Sequence, residues 1–153
     1  MDRTPIAARL TAISDALKAL RTLRSLTREQ IVGDDVLRAS VERHLQVAIQ
    51  AALDIGSILL SSGARPPSAY RAVFAALAQI GVLPADFAER LAEMAAFRNV
   101  LVHLYLEVDP ELLYAYLQEG LDDLERYAQY VAEHMAQHDD ASTTSATTEG
   151  DAP

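Results

Sequence analysis

Apolar residues recur along this chain at steps of three and four, and no stretch alternates apolar and polar positions convincingly enough to suggest a strand. That periodicity gives each segment one core-facing stripe, and an all-α antiparallel bundle of about five helices is the architecture it supports. With 153 residues, half of them apolar, the chain is long enough to bury one core and short for two domains.

Local signals divide the pattern. Thr4-Pro5 has the form of an N-cap followed by a proline at the first helical position, ahead of Ile6, Leu10, Ile13, Leu17 and Leu20. Thr27-Arg28-Glu29-Gln30 reads as a capping box for a short turn, and Asp34 suits the cap of a second long helix. The core stripe of that helix is Leu37, Val41, Leu45, Ala48, Ala52, Ile55 and Leu59. Gly63 with Pro66 and Pro67 ends it, and Ser68 restarts a short helix carrying Tyr70, Val73, Phe74, Leu77 and Ile80, which Gly81 stops. Pro84 opens a fourth helix, and Asp109-Pro110 opens a fifth through Leu113, Leu117, Leu124, Ala128 and Val131.

Composition excludes several classes. There is no cysteine, hence no disulfide framework, thiolate metal site or cysteine nucleophile. No basic segment followed by an apolar stretch opens the chain and no run approaches bilayer length, so a cytoplasmic protein with no membrane partner is expected. The net charge of −9 argues against a broad basic face for nucleic acid, so any such contact must be local. Four of the acids, Asp139, Asp140, Glu149 and Asp151, lie in a Ser-, Thr- and Ala-rich end without Lys or Arg. Residues 138–153 are accordingly expected to form a disordered acidic tail beyond a helical domain at 1–137.

Chemistry concentrates in Arg98-Asn99-Val100-Leu101-Val102-His103-Leu104-Tyr105, an R-N-x-x-x-H-x-Y pattern late in the fourth helix. Projected at about 100° per residue, Phe87, Leu91, Met94, Val102 and Tyr105 fall within roughly 40° of Arg98. Asn99 and His103 share a neighbouring stripe, while Val100, Leu101 and Leu104 spread over the opposite side. An arginine on a packing stripe must be paired, reach water, or line a groove. In a groove, Arg98 can hold phosphate oxygens and His103 can move a proton, the two requirements of metal-free RNA cleavage. A two-fold dimer joining two such helices supplies one histidine as base and its mate as acid. Spacing alone leaves a second reading open, in which Arg98 and His103 are surface groups compensating a helix C-terminus.

Beyond spacing, Met94 to Tyr105 closely resembles the signature of HepT-type toxins in the HEPN superfamily. Arg43 to Gly56 looks like the second long helix of that family, and Tyr70 to Leu83 followed by the restart at Asp109 matches its layout, so the likeness covers roughly residues 3 to 135. Leu104 departs from it, since related sequences often carry a small or acidic residue there. The resemblance implies a HEPN-like homodimeric endoribonuclease toxin without cofactor or metal, with Arg98 and His103 catalytic. It also implies a cognate antitoxin of the minimal nucleotidyltransferase (MNT) type, with Tyr105 as the acceptor of AMP. An AMP phosphodiester on Tyr105, two turns from Arg98 on the same stripe, would pair with that arginine and occupy the phosphate position of the RNA substrate.

Asn99 either orients His103 across one turn as a supporting site residue or is a polar residue satisfying the backbone. Asp54 lies with Arg43, Val47, Gln50 and Ser61 on the side of the second long helix away from its main stripe, either on a solvated face or reaching the cleft to orient Arg98 or His103. His44, His134 and His138 have no partner at a convincing metal-ligand spacing. The competing function is a non-catalytic HEPN dimer that serves as scaffold or AMPylation substrate for its nucleotidyltransferase partner, a reading the acidity favours.

Overall fold

Pro5 has no amide hydrogen to lose in a first helical turn, and helix α1 (Thr4–Arg24) begins around it. The computed structural model describes residues 3–61, 70–102 and 108–148. Arg3 rather than Thr4 holds the N-cap, a one-residue difference of the size at which helix ends are ordinarily defined. Thr27 makes the expected capping box before the short α2 (Arg28–Val32): the Gln30 amide donates to Thr27 Oγ1 at 3.2 Å and the Thr27 amide to Gln30 Oε1 at 2.9 Å. Asp34 Oδ1 then accepts from the amides of Val36 and Leu37 at 2.9 and 3.2 Å, starting α3 (Asp35–Ser61). The stop expected at Gly63, Pro66 and Pro67 and the restart at Ser68 lie outside the described residues.

Helix α4 (Tyr70–Gln79) ends in a Schellman turn. Gly81 takes φ 84°, its amide donates to the Ala78 carbonyl at 3.1 Å, and the Val82 amide to the Leu77 carbonyl at 2.9 Å. This turn buries Val82 and Leu83 and leaves Ile80, expected in the core, half exposed. Helix α5 (Ala85–Val102) follows Pro84, and Asp109 caps α6 (Pro110–Thr148) by accepting from the Glu111 amide at 3.0 Å. Six helices and no strand are found among the described residues, and the fold is the expected all-α antiparallel bundle with the capping-box turn counted as a helix.

Helix α3 is the hub, packed by α1, α2, α4, α5 and α6. Being covered from several sides, it buries Ile49, Ala51, Leu53, Gly56 and Leu60 in addition to most of its expected stripe. It is also long and apolar enough to cross a membrane by length and composition, which the expectation of no bilayer-length run did not anticipate. More than half of its most apolar stretch is buried inside the bundle, as suits a core helix. Leu101, expected opposite the packing stripe of α5, is buried as well, because α5 packs against both α3 and α4.

Along α6 Val131 is the last buried residue among those whose burial is described, and the helix continues to Thr148. From Asp139 to Thr148 there is neither proline nor glycine to interrupt a helix already propagating from a packed segment.

Two contacts fix α3 against its neighbours. Tyr127 of α6 is fully buried, stands edge-on to Phe74 with ring centroids 5.6 Å apart, and donates its hydroxyl to the Ala52 carbonyl at 2.6 Å. Beside it, Gly56 lets α4 approach: a Cβ there would lie 2.4 Å from Val73 Cγ1 and 3.2 Å from Leu77 Cδ1. Gly56→Ala should gain up to about 1 kcal/mol of helix propensity and lose more through overpacking against a stiff valine, about 1–3 kcal/mol. Its urea midpoint should fall below that of the parent protein.

Burial pushes the Tyr127 phenol above its ordinary value of 10.0. An unfolded tyrosine ionises near pH 10 and the folded one resists ionisation, so this contribution is fully present below about pH 10 and is lost as pH rises further. Tyr127→Phe should cost about 1 kcal/mol near neutral pH by removing one hydrogen bond. The same variant should lose less stability than the parent between about pH 9 and 11, as read by denaturant titrations at each pH.

Candidate active site

A guanidinium can only donate hydrogen bonds and a carboxylate can only accept them, and this asymmetry orders the polar cluster where α1, α3 and α5 meet. Arg98, near the C-terminal end of α5, is half-buried, as its place on the packing stripe of Phe87, Leu91 and Met94 predicts. Its Nε donates to Gln50 Oε1 of α3 at 2.8 Å, and Nη1 donates to Asn99 Oδ1 at 3.3 Å. One turn further along α3, Asp54 Oδ1 accepts from Gln50 Nε2 at 2.9 Å. Asp54 Oδ2 lies 3.4 Å from Arg9 Nε of α1, and Arg9 Nη1 donates to the Pro5 carbonyl at 3.0 Å.

Asp54 thus faces the site, and its connection to Arg98 runs through Gln50. Gln50 and Asp54 are half-buried between α1 and α5, whereas Arg43 and Ser61 of the same row are exposed. Gln50 and Arg9 were not singled out from the sequence. The available signal was the i, i+4 pairing of an amide with a carboxylate on a helix otherwise rich in apolar residues. Asn99 is exposed and contacts Arg98. His103 and Tyr105 lie outside the described residues, as does Leu104, so the expected contacts of Asn99 with His103 and of Tyr105 with Arg98 fall there too.

Behind Arg98, Phe97 stacks on Tyr116 of α6, with ring centroids 3.9 Å apart and planes 6° from parallel. The Tyr116 hydroxyl donates to the Glu93 carbonyl at 3.4 Å, and burial, with the nearby Glu93 charge, raises its phenol above the usual range. This stack fixes the turn of α5 that carries Arg98. Two surface grooves, of about 340 Å³ between α5 and α6 and about 350 Å³ around Gly81 and His134, are lined by residues other than Arg98. The rings of His134 and His138, in or beside the second of these, lie with centroids 4.2 Å apart and planes tilted by 45°. Burial and the neighbouring His138 lower the titration of His134. Among the described residues no three His, Asp or Glu side chains are grouped so as to hold a metal ion.

Bundle and polar cluster together define an HEPN-type helical domain. The family described as ribonuclease HepT-like matches residues 13–131, and the chain belongs to that family. Among its relatives, the tRNA nuclease HepT of Aphanizomenon flos-aquae is 25% identical over 132 residues, covering 85% of this chain and 89% of that protein. The mRNA nuclease HepT of Shewanella oneidensis is 29% identical over 99 residues, covering 64% of this chain and 74% of that protein. In fold, the chain is similar to the tri-AMPylated Shewanella oneidensis HEPN toxin solved in complex with an MNT antitoxin. That match has a TM-score of 0.76 at 24% identity and covers 87% of this chain and 99% of the toxin. YutE, a cytosolic protein of unknown function from Bacillus subtilis, also gives 0.76 at 21% identity, covering 90% of this chain and 93% of its own.

Proposed function

We propose that this chain is the toxin of a HEPN/MNT toxin–antitoxin pair, a cytoplasmic metal-independent endoribonuclease silenced by AMP transfer to Tyr105. The observation that carries the reading is Arg98: a guanidinium half-buried at the end of a packing stripe and held through Nε by the side-chain amide of Gln50. Family membership and the nuclease names of two relatives support it. The similar toxin solved with an MNT antitoxin, itself tri-AMPylated, supports the partner and the modification.

In this reading a two-fold dimer brings two Arg98/His103 pairs into one cleft. One His103 takes the proton of the ribose 2′-hydroxyl, and the 2′-oxygen attacks phosphorus. The bond to the 5′-oxygen breaks, the other His103 protonates that leaving oxygen, and the products are a 2′,3′-cyclic phosphate and a 5′-hydroxyl. Arg98 stabilises the charge that develops on the phosphoryl oxygens, with Asn99 assisting. The working unit is residues 1–137, and the acidic segment at 138–153 takes no part in the chemistry.

Arg98→Ala and His103→Ala should each lower RNA cleavage in excess chelator by about 100-fold or more and abolish growth arrest, with helical content unchanged. Full toxicity in either variant contradicts the assignment, and a parent protein inert toward RNA favours the scaffold reading instead. Coexpression with the MNT partner should add adenylate mass to the parent chain and none to Tyr105→Phe, which should stay toxic beside its antitoxin. Neutralisation of Tyr105→Phe without adenylation would refute the AMP-transfer mechanism.

A further inference from the structure

Resting on the nuclease reading above, we propose that Gln50 is a positioning residue for Arg98, one that fixes the guanidinium while keeping the charge of Asp54 off it. The orientation of the Gln50 amide is dictated at both ends. Asp54 can only accept, so it takes the Gln50 NH2; Arg98 can only donate, so it meets the Gln50 oxygen. Arg9 holds the other carboxylate oxygen of Asp54 and is itself tied to the Pro5 carbonyl in the first turn of α1. Both arms of this network donate towards one carboxylate, Asp54, whose side chain is 37% exposed: Arg9 directly, and Arg98 through Gln50.

A carboxylate at position 50 would orient Arg98 equally well, and the ion pair it formed would compete directly with the phosphate of the substrate. A neutral amide supplies the geometry without that competition. Asp54, one helical turn away, polarises the amide and settles which of its ends faces Arg98.

The test is steady-state cleavage of a fluorogenic RNA oligonucleotide by purified full-length protein, with thermal unfolding of each variant as control. Gln50→Met, which keeps the length of the side chain and removes both hydrogen bonds, should lower kcat roughly 10- to 100-fold with KM within about threefold. Gln50→Glu, nearly isosteric, should instead raise KM about tenfold, with the effect weakening at high salt. Asp54→Leu should lower kcat less than Gln50→Met, Asp54→Asn should restore most of that loss, and Gln50→Met/Asp54→Leu should be no worse than Gln50→Met alone. Wild-type kcat in Gln50→Met beside an inactive Arg98→Ala overturns the inference and leaves the nuclease reading standing. Additive losses in the double variant also overturn it, because Asp54 would then act on its own. Activity persisting in Arg98→Ala sinks the nuclease reading and this inference with it.

Discussion

Everything in this molecule is organised around the burial of α3, against which every other helix packs. A helix covered from several sides needs small and apolar residues around most of its circumference, and Ala48, Ala51, Ala52 and Gly56 provide close approach between larger Ile and Leu side chains. Polar residues on such a helix must find partners. Gln50 and Asp54 find theirs in Arg98 and Arg9, so the packing that makes the core also assembles the polar cluster.

The charge distribution gives Arg98 an unusual setting within its own chain. Four other arginines, Arg21 and Arg24 of α1, Arg28 of α2 and Arg90 of α5, pair with Glu125, Asp122, Glu111 and Asp123, all on α6. These exposed pairs contribute little stability individually, about 0–1 kcal/mol each, but they spread the acidity of α6 over the basic residues of its neighbours. Arg98 has two side-chain amides, those of Gln50 and Asn99, among its partners. In the proposed function, Arg98 gives a chain of net charge −9 a localised site for one phosphate without a basic face.

Features legible in the sequence were those set within one turn of chain. The Thr27 capping box, the Asp34 and Asp109 caps and the glycine turn at Gly81 each depend on residues three or four apart, and each is found as read. What one-dimensional periodicity could not supply was which sides of a helix are covered. Leu101 is buried because two helices flank α5, and Ile80 is exposed because the chain turns immediately after it. Gln50 escaped notice for the same reason: its row looks like a solvated face until α1 and α5 are laid beside it.

The central claim is that Arg98, held on the bundle through Gln50, performs RNA chemistry with a histidine and without a metal. Its most direct measurement is the chemistry of the ends left on RNA cut by the purified protein in excess chelator. The account predicts cleavage under those conditions with 2′,3′-cyclic phosphate and 5′-hydroxyl ends. Cleavage that required a divalent cation and left 5′-phosphates would contradict it.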